Sequence, residues 1–153
     1  KPPAKLHWEQ TYEMKPEIIY ILYSLPYKVI RLTNIQSLQY KLLYRILNCN
    51  YWLHKIKIVD SPICRFCNKI ETLEHYFFEC KVTFEFWSAF LTWWNTLDNP
   101  PLNELHSQDV LFGFSNMYNE GKILNCCVLS AKMEYIYSSK YKNVTLFLKI
   151  LFF

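Results

Sequence analysis

Glycine is nearly absent from this chain: Gly113 and Gly121 are the only two in 153 residues. That excludes the glycine-rich loops that cradle phosphates in dinucleotide and nucleoside triphosphate sites, where the backbone must approach without a Cβ. Long apolar runs are missing too. The longest, such as Ile18 to Tyr27, are half the roughly 20 residues that a spanning helix needs. A secretory leader is not in view, because the chain opens Lys1-Pro2-Pro3 with no long apolar stretch behind it. Methionine is absent from the first position, and the last residues, Ile150 to Phe153, stop inside an apolar pattern. The expectation is a piece of a longer chain.

Apolar and aromatic residues are plentiful. At 52% hydrophobic and 18% aromatic the composition is that of a folding chain, and the length suits one domain with a genuine core. Six cysteines occur, and three of them fall with a histidine in a compact array: Cys64, Cys67, His75 and Cys80, spaced C-x2-C-x7-H-x4-C. Thiolate sulfur and imidazole nitrogen suit Zn2+, and a short loop between paired cysteines lets both sulfurs reach one ion. With all four positions filled by protein, one structural Zn2+ is expected and no water-activating position is left. The bland alternative is three buried cysteines beside a surface histidine. Cys49, Cys126 and Cys127 remain, an odd number that favours free thiols in a reducing, intracellular compartment, nucleus or cytoplasm. A catalytic Cys–His pairing of Cys80 with His75 has no acidic orienter, and His7, His54 and His106 are scattered. No catalytic residues are assigned.

Charge is distributed in blocks. From Lys28 to Lys69 eight basic residues face Asp60 alone, and from Glu71 to Glu120 eight acidic residues face Lys81 alone. The sign flips inside the Cys/His array. A basic limb leading into such a site suits an anionic partner, RNA or DNA. Lysines on helices ordinarily just solvate an outer face. Against that stands a predicted helical stripe of Ser37, Lys41, Tyr44 and Arg45, able to pair phosphate contacts with base stacking. Lys55, Lys57, Arg65 and Lys69 lie near the array and complete the nucleic-acid candidates.

Helical spacing dominates. Ile18, Leu22 and Leu25 predict a helix that starts after Pro16 and ends before Pro26. Ile35, Leu38, Leu42 and Ile46 predict another, capped by Thr33 or Asn34 and ending near Asn48. Tyr51 to Ile56 is a further short helix with Asn50 as cap. Asn68-Lys69 supplies a tight reversal, and Thr72 an N-cap. His75 and Cys80 cannot share a face of an uninterrupted α-helix, since five residues rotate the chain roughly 140° past a full turn. A bend near Cys80 is therefore required. Phe86, Trp87, Phe90 and Trp94 mark a core-facing helix. Asn99-Pro100-Pro101 opens a linker, Val110 to Phe112 has no assignable state, and Leu124, Val128, Ala131 and Tyr135 form a stripe. Lys142-Asn143 interrupts it before a last helix with Val144, Leu148 and Leu151. The expected fold is mostly α, a small helical domain with an irregular CCHC zinc-knuckle loop between helices. Its parts are an N-terminal segment (1–29), helices with the metal motif (30–96), a linker (97–107) and a C-terminal helical segment (108–153).

The run from Cys64 to Trp87, with Glu71-Thr72-Leu73-Glu74-His75-Tyr76-Phe77-Phe78-Glu79-Cys80 followed by Phe86-Trp87, resembles the zinc-binding region that follows the reverse transcriptase domain in LINE-type (non-LTR) retrotransposon proteins. Gln39 to Leu47, Leu53 to Lys57, Asp109 to Gly113 and Ala131 to Tyr137 are similar to its flanks, so the likeness covers roughly residues 30–153. It implies metal ligands at Cys64, Cys67, His75 and Cys80, a role in binding RNA or target DNA during target-primed reverse transcription, and an upstream polymerase domain in the same polyprotein. The polymerase itself does not carry over, because Asp60, Asp98 and Asp109 are the only aspartates and none are adjacent. Lys81 stands where relatives often have proline. The alternative is a purely structural zinc module docked on the polymerase domain, or a degenerate copy without function.

Overall fold

A computed structural model describes residues 3–115 and 119–140. The described residues are helical and contain no sheet; their one β-feature is an isolated antiparallel bridge between Ile63 and Ile70. The chain divides into two compact units, residues 1–44 with 112–153, and residues 45–111.

The first unit contains α1 (Pro3–Tyr12), α2 (Pro16–Val29), α3 (Thr33–Leu43) and α7 (Asn119–Lys140). α2 packs on α1, α3 and α7, and α3 packs on α7. Each helix turns an apolar stripe inward. Ile19 (in place of the expected Ile18, which is half-buried), Leu22 and Leu25 of α2 are buried, as are Ile35, Leu38 and Leu42 of α3 and the predicted stripe of Leu124, Val128, Ala131 and Tyr135 on α7. One expectation fails at Pro26. α2 does not stop before Pro26 but runs on to Val29. Proline forfeits the bond that its N–H would make to the carbonyl four residues back, yet only the last turn follows it. Pro26 is itself buried, and its carbonyl accepts the Ile30 amide at 3.2 Å.

α3 stops early, at Leu43 instead of near Asn48. The carbonyl of Leu43, orphaned at the helix end, accepts both the Trp8 indole N–H at 2.8 Å and the Tyr23 hydroxyl at 2.9 Å. Tyr44 caps the helix, and Arg45 turns to φ +57°. Ser37, Lys41, Tyr44 and Arg45 therefore do not form a stripe on one helix. Neither Thr33 nor Asn34 is the cap: Leu32 is, without a side-chain bond, while Asn34 accepts the Ile35 amide at 3.0 Å. Gly113 takes φ +87°, and a Cβ there would lie 2.6 Å from Asn125 Oδ1. Asn125 is fully buried and clasps Phe114, accepting its amide at 2.7 Å and donating to its carbonyl at 2.9 Å.

The second unit contains α4 (Asn50–Lys55), a π-helical turn (His75–Glu79), α5 (Lys81–Trp94) and most of α6 (Ser107–Phe112), which takes up the segment the sequence left unassigned. Phe86, Trp87, Phe90 and Trp94 are buried along α5 as their spacing predicts. The helix of Val144, Leu148 and Leu151 lies outside the described residues.

Lys132 is fully buried on α7 and donates to Gln39 Oε1 on α3. Desolvation pulls its ammonium down to about 7. A lysine whose folded pKa falls below its unfolded value of about 10.4 is neutral in the fold and charged in the unfolded chain between those limits. Stability then rises with pH across that window. Urea melts of wild type and Lys132→Met at pH 7 to 10 are expected to show wild type gaining stability relative to the variant, by on the order of a few kcal/mol.

Candidate metal centre

The knuckle forms because Asn68 accepts φ +59° and reverses the chain. The Cys64 amide donates to the Lys69 carbonyl at 2.8 Å and the Asn68 amide to the Cys64 carbonyl at 3.1 Å, while the Phe66 amide points to Cys64 Sγ at 3.4 Å. Thr72 Oγ1 accepts the His75 amide at 3.1 Å and so opens the next helical turn, as its position predicts.

That turn widens. The Cys80 amide bonds to the carbonyl of His75, five residues back, at 3.0 Å, and Cys80 itself is extended (φ −68°, ψ 140°). An i to i+5 turn takes one residue more than an α-turn, which removes most of the 140° mismatch. Widening leaves carbonyls without their usual amides, and α5 supplies donors. Thr83 Oγ1 donates to the Tyr76 carbonyl at 3.1 Å, and the Trp87 indole donates to the Phe77 carbonyl at 2.7 Å.

Cys64, Cys67, His75 and Cys80 consequently meet, with one ligand atom from each and all within 4.8 Å of one another. Cys64 Sγ lies 3.8 Å from Cys80 Sγ, Cys80 Sγ lies 3.9 Å from Cys67 Sγ, and Cys67 Sγ lies 3.2 Å from His75 Nε2. A tetrahedral zinc ion with Zn–S bonds of about 2.3 Å separates its sulfurs by about 3.8 Å. The donor set fits such an ion. Burial pushes the Cys64 thiol up to about 11, whereas the Lys69 backbone amide draws the Cys67 thiol below its ordinary value. Cys64, His75 and Cys80 are buried, and Cys67 is half-buried.

Two carboxylates brace the surroundings. Glu71 Oε1 accepts the Asn50 amide at 2.9 Å, placing negative charge at the N-terminus of α4. Asn50 is thus not the cap of that helix. It occupies the first helical position, and its side-chain amide donates to the Ile63 carbonyl at 3.0 Å. Glu74 pairs with Arg45 at 2.9 Å. Burial raises the Glu74 pKa, but its own backbone amide and the Arg45 guanidinium outweigh that and hold the carboxyl below the usual range. Glu71, Glu74, Thr83 and Trp87 were not singled out as site residues from sequence, because their partners are distant or defined only by the wide turn.

The nucleic-acid candidates are dispersed. Lys41 is exposed on α3, while Tyr44 is half-buried against Tyr40 and Tyr23, with ring centroids 4.4 Å and 5.5 Å away. Arg45 is engaged by Glu74. Lys55, Lys57, Arg65 and Lys69 are exposed, Lys55 lying 5.9 Å over Trp52 and Arg65 4.6 Å over Phe66. Tyr44 ends the first unit and Arg45 begins the second, so the seven do not share one unit.

Residues 4–87 match the family model described as zinc-binding in reverse transcriptase. That span is more than half of the chain, and the protein belongs to this retrotransposon-associated family. The match takes in α1 and α2, ahead of the residues that carried the motif resemblance, and stops at Trp87. It corresponds to a non-catalytic accessory domain, not to a polymerase fold. No curated protein and no solved structure matches the chain. Among the described residues no helix is long and apolar enough to cross a membrane.

Thr83→Val and Trp87→Phe each remove one donor from the wide turn without touching a ligand. Each is expected to weaken zinc binding about tenfold, measured by competition with a chromophoric chelator, while far-UV circular dichroism stays helical.

Proposed function

We propose that this chain is a structural module of a reverse transcriptase polyprotein, stabilised by one Zn2+ held by Cys64, Cys67, His75 and Cys80, and that it docks on the polymerase domain. The observation that carries the reading is the closure of the site. Four protein donors converge within 4.8 Å and three of the four residues are buried, so a bound ion has no position for an activated water. Its work is mechanical: it locks the knuckle to the wide turn and, through Thr83 and Trp87, to α5. Docking is supported by apolar side chains exposed on the second unit, among them Trp52, Ile56, Ile58, Phe66 and Ile70. Cys49, Cys126 and Cys127, thiols outside the cluster and free of disulfides, suit a reducing intracellular compartment.

Structural zinc sites supply about 10–16 kcal/mol of apparent free energy, comparable with a domain's whole stability. The purified chain is therefore expected to carry one zinc per molecule by elemental analysis, and to lose the cooperative melt of its second unit in a strong chelator. Cys67→Ser is expected to do the same without chelator. A metal-free chain with an unchanged melt defeats the reading.

A second reading, direct binding of RNA or DNA by the basic limb, is favoured by the exposure of Lys55, Lys57, Arg65 and Lys69 around the knuckle. Neutralising the exposed Lys41, Lys55, Lys57 and Arg65 together, with the Arg45–Glu74 pair left intact, is expected to weaken oligonucleotide binding and flatten its dependence on salt. An unchanged salt slope rejects it.

A further inference from the structure

A cleft of about 450 Å³ opens beside the metal centre, walled by Cys67, Lys69, Phe78, Glu79, Lys81 and Phe84. Neither the metal chemistry nor the packing of α5 uses it. A second cleft, of about 250 Å³, shares Phe78 and Phe84 and continues along α5 past Ser88 and Leu91 to Asn103. Phe84 lines both and stands 60% exposed. An isolated exposed phenylalanine needs no explanation. This one lines two cavities, and two cations line one of them. Lys69 and Lys81 are both exposed, and among the described residues neither takes part in a salt bridge. Glu79 is the only acid lining the first cleft, and in the second the only charged group is Glu104. The pattern is an aromatic step with positive charge on one side and hydrogen-bonding side chains, Ser88 and Asn103, on the other.

We propose that the paired clefts bind an unpaired stretch of nucleic acid, with one base stacked on Phe84, the phosphate beside it at Lys69 and Lys81, and the neighbouring base in the second cleft. The first volume lies within the range of small-ligand sites. Stacking on an exposed ring tolerates any base, and the lysines contribute point charges suited to a phosphodiester. Glu104, 3.4 Å from His106 Nε2, disfavours phosphate in the second cleft. The site shares only Lys69 with the basic limb and does not rest on docking to the polymerase, so its failure leaves both readings of the preceding section standing.

The zinc-loaded full chain is titrated against a single-stranded thymidine 12-mer carrying one central 2-aminopurine, read by anisotropy and by 2-aminopurine quenching. Wild type is expected to bind and quench. Phe84→Ala should lose the quenching and bind about tenfold more weakly, whereas Phe84→Tyr should retain both. Lys69→Ala with Lys81→Ala should reduce the salt slope by about 0.7, the value for one phosphate neutralised on a single strand, and Glu79→Gln should tighten binding. Zinc content and melting of each variant, matched to wild type, confirm that the fold is retained. Absence of quenching with wild type overturns the proposal, as does a Phe84→Ala variant that quenches normally. So does complete displacement by an equimolar mononucleotide, which would make the cleft a free-nucleotide site, or binding lost only on neutralising the basic limb.

Discussion

One hydrogen bond, from the Cys80 amide to the His75 carbonyl, sets the geometry on which the second unit depends. Two donors five residues apart diverge on a regular α-helix, and the wide turn makes them converge. Its cost is exposed carbonyl groups in a buried place, which would be expensive if left unmatched. Thr83 is fully buried and Trp87 nearly so, and they satisfy those groups from α5. The metal centre and the helical core are therefore one construction. A change in either is transmitted through two side-chain hydrogen bonds.

The abrupt change of charge along the sequence acquires a physical meaning in this setting. Glu71 and Glu74 are the first acids after the basic limb, and both reach back to it, Glu71 to the start of α4 and Glu74 to Arg45. The switch in sign falls inside the Cys/His array, and one opposite-charge pair, Arg45 with Glu74, joins the two limbs there, while Glu71 holds a backbone amide. Part of the basic limb is thus consumed internally. The lysines and the arginine around the knuckle keep their solvent exposure, and Lys81 lines a cleft with Lys69.

Much of this was legible in the residues. The four side chains that meet were visible as a spacing, the reversal at Asn68 as a conformational preference, and the turn after Thr72 as a cap. The stripes on α5 and α7 were visible as periodicity. What escaped were features defined by distant partners. Nothing local reveals that Trp8 and Tyr23 will hold the end of α3 at Leu43, or that Pro26 will be tolerated in the last turn of a buried helix. A bend near Cys80 was required by geometry, but the form it takes depends on donors from α5. The domain-level arrangement was equally hidden. The described helix α7 joins α1, α2 and α3 in one unit, although residues 44–118 intervene between α3 and its start.

The spacing of His75 and Cys80 also bears on how the molecule tolerates changes of length. With one residue fewer between them, the two donors would lie near one face of an ordinary α-helix, and no carbonyl would need help from elsewhere. The extra residue creates the need for Thr83 and Trp87. A change of length between Cys67 and His75 acts on the Asn68 reversal and on the bonds of Glu71 and Thr72, whereas a register change in the turn alters the demands on α5. The short interval is the demanding one, and a single additional residue is what ties the Cys/His cluster to Thr83 and Trp87 of α5.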